Sequence, residues 1–267
     1  MINMMFKFTL FLVVMSLLFW TTPCKKDIFK KEIPKKNITC TSRPIVIAVI
    51  DTGFGFNNKG KSAKLCQFGH RDFTNTNEYF MNSDTVDPVP KDGHGHGTNI
   101  VGVIDRYASL YGTNYCLVIL KFWDKNMKVI NQTDKTGTEA IRYATDIKAD
   151  FINFSGGGPG FYKPEAEAVK KYIDNGGTFV AAAGNERNDL EKVPYYPAMD
   201  DKRVISVGNL YKNGDAAISS NYGRPVTVWE VGEDVEAYGI VMTGTSQATA
   251  VVTGKMVSEI KNCISIK

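Results

Sequence analysis

Histidine is scarce in this chain, with three among 267 residues. Two of them fall in DGHGHGTN, Asp92 to Asn99, spaced two apart. The scarcity narrows the search, because imidazole is the one side chain whose ordinary pKa lies near neutrality and suits both acid/base work and metal binding. Long apolar runs are also missing. The longest, FTLFLVVMSLLFW from Phe8 to Trp20, is shorter than the roughly 18 residues of a membrane span and fits the core of a signal segment. No two cysteines stand in CxxC spacing, which argues against a zinc ribbon. Nor is there a spread of one charge sign. The net charge of +4 is concentrated in KKDIFKKEIPKK, Lys25 to Lys36, so the remainder lacks a nucleic-acid footprint. With 43% hydrophobic and 22% charged residues and no internal repeats, the chain is neither disordered, collagen-like nor a channel.

Its length suits one large α/β domain. Residues 1–23 are expected to form a signal peptide or membrane anchor, 24–43 a basic linker, and 44–267 the folded domain. Export is the expectation, giving a secreted or extracytoplasmic protein. Anchoring by residues 8–20 is the alternative, because Lys7 is the only charge before the apolar run and the basic stretch behind it opposes translocation. The five cysteines are Cys24, Cys40, Cys66, Cys116 and Cys263. If Cys24 leaves with the signal, the others can pair in several ways in an oxidising compartment. Cys116, inside an apolar run, also reads as a buried thiol.

Strand and helix patterns alternate along the rest. PIVIAVID (Pro44 to Asp51), CLVILKF (Cys116 to Phe122), DFINFS (Asp150 to Ser155), TFVAAAGN and RVISVGNL are β-rich runs of the kind buried on both faces of a sheet. VTVWEVG and DVEAYG are expected to pair with each other near an edge. Between the runs, GTNIVGVIDRYASL, GTEAIRYATDIKA, KPEAEAVKKYIDNGG and SQATAVVTGKMVSEIKN carry helical periodicity. In the last, Ala248, Val252, Met256 and Ile260 form one stripe. The alternation predicts a three-layer α/β domain, a mainly parallel central sheet with helices on both faces. In such sheets ligands bind beyond the carboxyl ends of the strands. Asp51, Ser155 to Gly158, and Gly184 with Asn185 close three of them.

An acid at Asp51, an imidazole at His96 and a hydroxyl at Ser246, in MTGTSQATA, are candidates to converge at that edge. A serine hydroxyl needs a base to take its proton, and the base needs a carboxylate to orient it. VIDTGF, GHGTNIVG, INFSGGG, AAAGNE, YPAMDDKRVISVG and GTSQATAVVTG, spread over residues 44 to 262, resemble the ordered motifs of the subtilisin-like serine proteases. The resemblance implies a subtilisin-like fold and peptide-bond hydrolysis through an acyl-enzyme. It implies that Asp51 orients, His96 is the general base, Ser246 is the nucleophile and Asn185 joins the Ser246 N–H as oxyanion donors. It further implies that Ser155, Gly156 and Gly157 pair with an extended substrate, and that Gly184 and Glu186 border the pocket for the residue before the cleaved bond. HGTNIVG aligns only with His96, which leaves His94 as a partly solvated loop residue.

The motifs also depart from the family. Gln247, Ala250 and Val251 replace the usual Met and Pro-His pair, and Asn99 replaces a second His. The connection after the His96 helix lacks the loop that binds calcium in many members, so no cofactor is expected and calcium gains no support. The few residues ahead of the first strand suggest folding without a covalent prodomain. Expected partners are a peptide or protein substrate, with no nucleic acid; the protein is expected to be monomeric, and the N-terminal apolar run is a possible route to a membrane. Two other readings stand beside the protease: a catalytically inactive relative that binds peptides in the same groove, and a metal hydrolase using His70, His94 and His96. DTG without a second such motif, and SGGGPG without Lys-Ser/Thr, argue against an aspartic protease and a phosphate loop.

Overall fold

A computed structural model describes residues 40–55, 63–81, 83–124 and 130–262. The expected signal or anchor segment, most of the basic linker, Cys24 and Cys263 lie outside them. Among the described residues no helix is long and apolar enough to cross a membrane.

The sheet grows from the buried runs. In chain order its strands are β1 (Ile45–Asp51), β2 (Arg71–Asp72), β3 (Tyr115–Lys121), β4 (Phe151–Phe154), β5 (Thr178–Ala182), β6 (Ile205–Leu210) and β7 (Val228–Val231). They lie side by side as β7-β6-β5-β4-β1-β3-β2, every pairing parallel. Successive residues alternate faces, so both sides of each central strand must be covered. Ile45, Ile47 and Val49 of β1 join one apolar cluster, and Ala48 and Ile50 join the other.

Helices supply the two covers. α1 (His96–Ala108) and α4 (Thr245–Ser258) pack on one face, and α2 (Ile130–Asp146) and α3 (Lys163–Asp174) on the other. The fold is the expected three-layer α/β architecture. α3 begins with Pro164 in its first turn and stops at Asn175, followed by Gly176 at φ 87°. α2 begins upstream of the expected Gly137. α4 exceeds the single stripe expected of it: Thr249, Thr253 and Gly254 are buried as well as Ala248, Val252 and Met256, and only Lys255 of its length is not. Small residues all round the helix let neighbouring backbone approach from every side, so it lies inside the molecule. Burying each aliphatic side chain there contributes roughly 1.5–3 kcal/mol over leaving it in water.

Two expectations are corrected. VTVWEVG and DVEAYG do not pair with each other. Val228–Val231 is the edge strand β7, parallel to β6, whereas β8 (Val235–Ala237) forms an antiparallel hairpin with β9 (Ile240–Met242). The Gly239 turn, at φ 79°, closes that hairpin locally. Cys116 is not a free buried thiol; it is bonded to Cys66, 50 residues away in sequence. The polar stretch from Asn57 to Lys91 contributes the short strand β2 and a two-stranded pairing of Tyr79–Phe80 with Val89–Pro90. The bridge ties this stretch to β3.

Candidate active site

β1 ends at Asp51, whose side chain is buried. Its Oδ1 accepts hydrogen bonds from the Thr52 N–H at 2.8 Å and from His96 Nδ1 at 2.7 Å. That bond fixes the tautomer, placing the proton on Nδ1 and leaving Nε2 as a lone-pair acceptor. His96 is the first residue of α1 and its side chain is 21% exposed, so the imidazole retains access to the cleft. Burial alone would lower its pKa. The charge and hydrogen bond of Asp51, with Asp92 behind, outweigh that and raise it above the ordinary 6.5.

Asp92 organises the start of α1. Its Oδ1 accepts from the N–H groups of His94 and Gly95 and from the Thr52 hydroxyl, and its Oδ2 accepts from the N–H and hydroxyl of Thr98. The helix N-cap, Gly95, has no side chain to offer, so a carboxylate from the preceding turn satisfies the orphan donors and complements the dipole. The Thr52 hydroxyl in turn accepts from the Gly97 N–H at 2.8 Å. The end of β1 and the start of α1 are thus one hydrogen-bonded unit.

Ser246 is the second residue of α4. Its hydroxyl donates to the Ser155 carbonyl at 3.0 Å, while the Ser155 hydroxyl donates to the Ser246 carbonyl at 3.1 Å. Asn153 Nδ2 donates to the Ser155 hydroxyl, and Thr253 donates to Asn153 Oδ1. No hydrogen bond joins the Ser246 hydroxyl to His96. The two helix starts are nevertheless adjacent, because Gln247 Nε2 donates to Asn99 Oδ1 at 3.1 Å. Asn185, exposed at the end of β5, accepts the Thr245 N–H on its Oδ1 at 3.0 Å. That contact orients the amide and leaves both Nδ2 hydrogens as donors.

A trough of about 660 Å³ runs from Asp51 and His96 past Trp123 and Gly156 to Glu165 and Tyr196. One wall is the Ser155–Gly160 segment. Gly158 pairs with Tyr196 through two main-chain bonds of 2.9 and 2.8 Å. The peptide groups of Gly156 and Gly157 take no such partner among the described residues. His94 also faces the trough, its ring edge-on to Trp123 at 5.3 Å. Deeper in, burial pushes Glu165 up to about 8, aided by the charges of Asp200 and Asp134, and burial pushes Asp200 up to about 7.

Glu186 stands apart from the trough. Its Oε2 accepts from Asn221 Nδ2 at 2.8 Å, and buried Asn221 also bonds the Ala183 carbonyl and the Glu186 and Asn188 N–H groups. Gly184 lies in the same turn, at φ 96°. The third histidine is elsewhere: His70 is buried, its Nε2 against the Cys66 carbonyl at 2.8 Å and its Nδ1 accepting the Ile119 N–H at 3.1 Å. Both ring nitrogens are spent on the backbone, so His70 does not join His94 and His96 as a ligand. Among the described residues no group of three or more His, Cys, Asp or Glu side chains is placed to hold a metal ion.

Sequence reasoning missed Asp92, Asn221 and the pairing of Asn99 with Gln247. The last was partly visible: both positions depart from the family motifs, and the departures are partners. Asn99 Nδ2 additionally donates to the Val235 and Ile240 carbonyls, holding the β8–β9 hairpin against α1.

A buried carboxylate orienting an imidazole, with a serine in the first turn of the adjacent helix at the carboxyl edge of a parallel sheet, is the kind of arrangement that serine hydrolases use. Residues 42–261 match the model of the Subtilase family, peptidase S8, and the chain belongs to that family. It is 30% identical over 230 residues to the intracellular serine protease of Paenibacillus polymyxa, covering 80% of this chain and 66% of that one. The major intracellular serine protease of Bacillus subtilis is 29% identical over 252 residues, 86% of this chain and 70% of that one. A solved structure of a cold adapted subtilisin-like serine proteinase superposes with TM-score 0.62 at 24% identity, over 86% of this chain and 81% of that one. This last likeness is one of fold.

Proposed function

We propose that this chain is a serine endopeptidase in which Asp51, His96 and Ser246 act together and Asn185 Nδ2, with the Ser246 N–H, binds the oxyanion. The observation that carries the reading is the 2.7 Å Asp51–His96 pair set beside the start of α4 by the Asn99–Gln247 bond. An extended peptide adds as a strand along Gly156 and Gly157. Rotation of the Ser246 side chain away from the Ser155 carbonyl brings its proton to His96 Nε2, and the oxygen attacks the scissile carbonyl. Asp51 stabilises the imidazolium that results, and the Asn185 amide receives the charge that develops on the carbonyl oxygen. His96 then returns the proton to the departing amine. Water, activated by the same imidazole, releases the acyl group from Ser246.

The chemistry proposed uses side chains and peptide groups of one copy of this chain and no cofactor. Catalytic hydrogen bonds often close only around substrate, which accounts for the resting contact of Ser246 with Ser155. That same contact favours the second reading, an inactive peptide binder. A small alkyl fluorophosphonate with peptide mapping separates them. An adduct on Ser246 that is absent in His96→Ala is the expected result; an unlabelled, folded protein would overturn the endopeptidase and leave the binder. For location, the proposal is an oxidising compartment reached through the N-terminal apolar segment, supported by the Cys66–Cys116 bridge.

A further inference from the structure

Tyr195 stands between the two turns that frame the proposed oxyanion site. The residue is 8% exposed. On one side is Gly157 at φ 149°, where a Cβ would lie 2.6 Å from the ring's Cε1; on the other is Gly184 at φ 96°, where a Cβ would lie 2.7 Å from Cε2. Both residues have backbone conformations that L side chains rarely adopt, and both bring bare Cα atoms against opposite edges of one ring. The ring therefore spans the gap between the turn after β4 and the turn after β5. It is held there from behind, because the next residue, Tyr196, is paired through its main chain with Gly158. Glu186 Oε2 and Asn221 Nδ2 crowd the same side of Gly184 as the ring does.

The consequence follows from how a substrate must lie. If the peptide pairs with Gly156 and Gly157 and its scissile oxygen meets Asn185, the residue bearing that carbonyl sits over the gap between these two turns. Its side chain points along the strand normal, either out to solvent or into the gap. The gap is filled by Tyr195. The open volume of the trough lies instead beside Trp123, Phe122 and Glu165, where residues farther toward the substrate's N-terminus pass.

We propose that Tyr195 is a specificity-determining residue that limits the position whose carbonyl is attacked to Gly, Ala or Ser, leaving larger side chains to be read upstream. The inference rests on the endopeptidase reading above. It is tested with a set of internally quenched peptides that differ only at that position, carrying Gly, Ala, Ser, Leu, Phe or Lys. The wild type is expected to cleave the Ala peptide with kcat/KM about tenfold or more above the Phe peptide. Tyr195→Ala should move the optimum to Leu or Phe, and Tyr195→Phe, which keeps the ring, should retain the preference for small residues. A wild type that cleaves Phe as well as Ala overturns the proposal, as does a folded Tyr195→Ala with an unchanged ratio. Should Tyr195→Ala fail to fold, the wild-type and Tyr195→Phe series decide alone. Labelling of Ser246 by the fluorophosphonate, run in parallel, keeps the two readings apart. An unlabelled serine sinks the endopeptidase itself, whereas a labelled serine with a large-residue preference sinks only the role of Tyr195.

Discussion

The two helices that begin at the site begin differently. α1 starts at the surface: its first residue is partly exposed, its N-cap has no side chain, and five hydrogen bonds to Asp92 hold the turn that precedes it. α4 starts and continues inside the molecule, its first turn tied to Asn185 and Ser155 and its whole length packed. The imidazole is thus oriented in the resting chain by charge and hydrogen bonds, while the hydroxyl is held by its backbone and turned toward Ser155. Electrostatics orients the imidazole, and packing places the hydroxyl.

The sharpest break of that contrast removes the hydroxyl. Ser246→Ala should lower kcat on the order of 10⁶-fold, the scale known for subtilisin, with the melting transition preserved, as steady-state kinetics and calorimetry would record. Asn185→Leu comes next. On the proposed mechanism it takes away one oxyanion donor, so kcat should fall roughly 10²–10³-fold with KM little changed.

A third test uses pH, where activity and stability are expected to move in opposite directions. The raised pKa of His96 means that the neutral base accumulates only above 6.5, so kcat/KM should climb with pH through a point above that value. Asp92→Asn, which removes one of the charges raising it, should move that limb to lower pH. Stability should run the other way. Glu165 and Asp200 keep protons in the folded chain up to about 8 and about 7, whereas the unfolded chain releases them near 4. Folding therefore loses stability as pH rises from the ordinary carboxylate range to about 8. Glu165→Gln should flatten the decline in chemical denaturation series, and an unchanged slope would count against the burial of that proton. The smallest effect is expected where the helices meet: a double-mutant cycle on Asn99→Ala and Gln247→Ala should return a coupling of about 1 kcal/mol in unfolding free energy.

Much of the frame was legible because buried parallel strands are spelled in uninterrupted β-branched runs. Pro44 to Asp51 and Cys116 to Phe122 could be placed in a sheet before their partners were known. His96 at a helix start and Asp51 at a strand end were likewise readable, since short-range pattern determines both. What escaped depends on contacts distant in sequence. Asn99 and Gln247 are 148 residues apart, and nothing local marks either as the other's partner. The edge position of Val228–Val231 is decided by β6 alongside it, and its alternation resembles that of a hairpin arm. The burial of α4 beyond one stripe was hidden by Thr and Gly, which read as polar or helix-weakening until the neighbours that need small residues are in place. Tyr195 gave no signal, because its meaning lies in two glycines from other turns.

The depth of α4 also ties inactivation to melting. Since the serine's backbone belongs to the core and not to a loop, loosening of a surface loop alone does not displace it. If Ser246 is the nucleophile proposed above, its reaction with a fluorophosphonate on heating should be lost no later than tertiary structure, so that the label counts molecules whose core and α1 start are both intact.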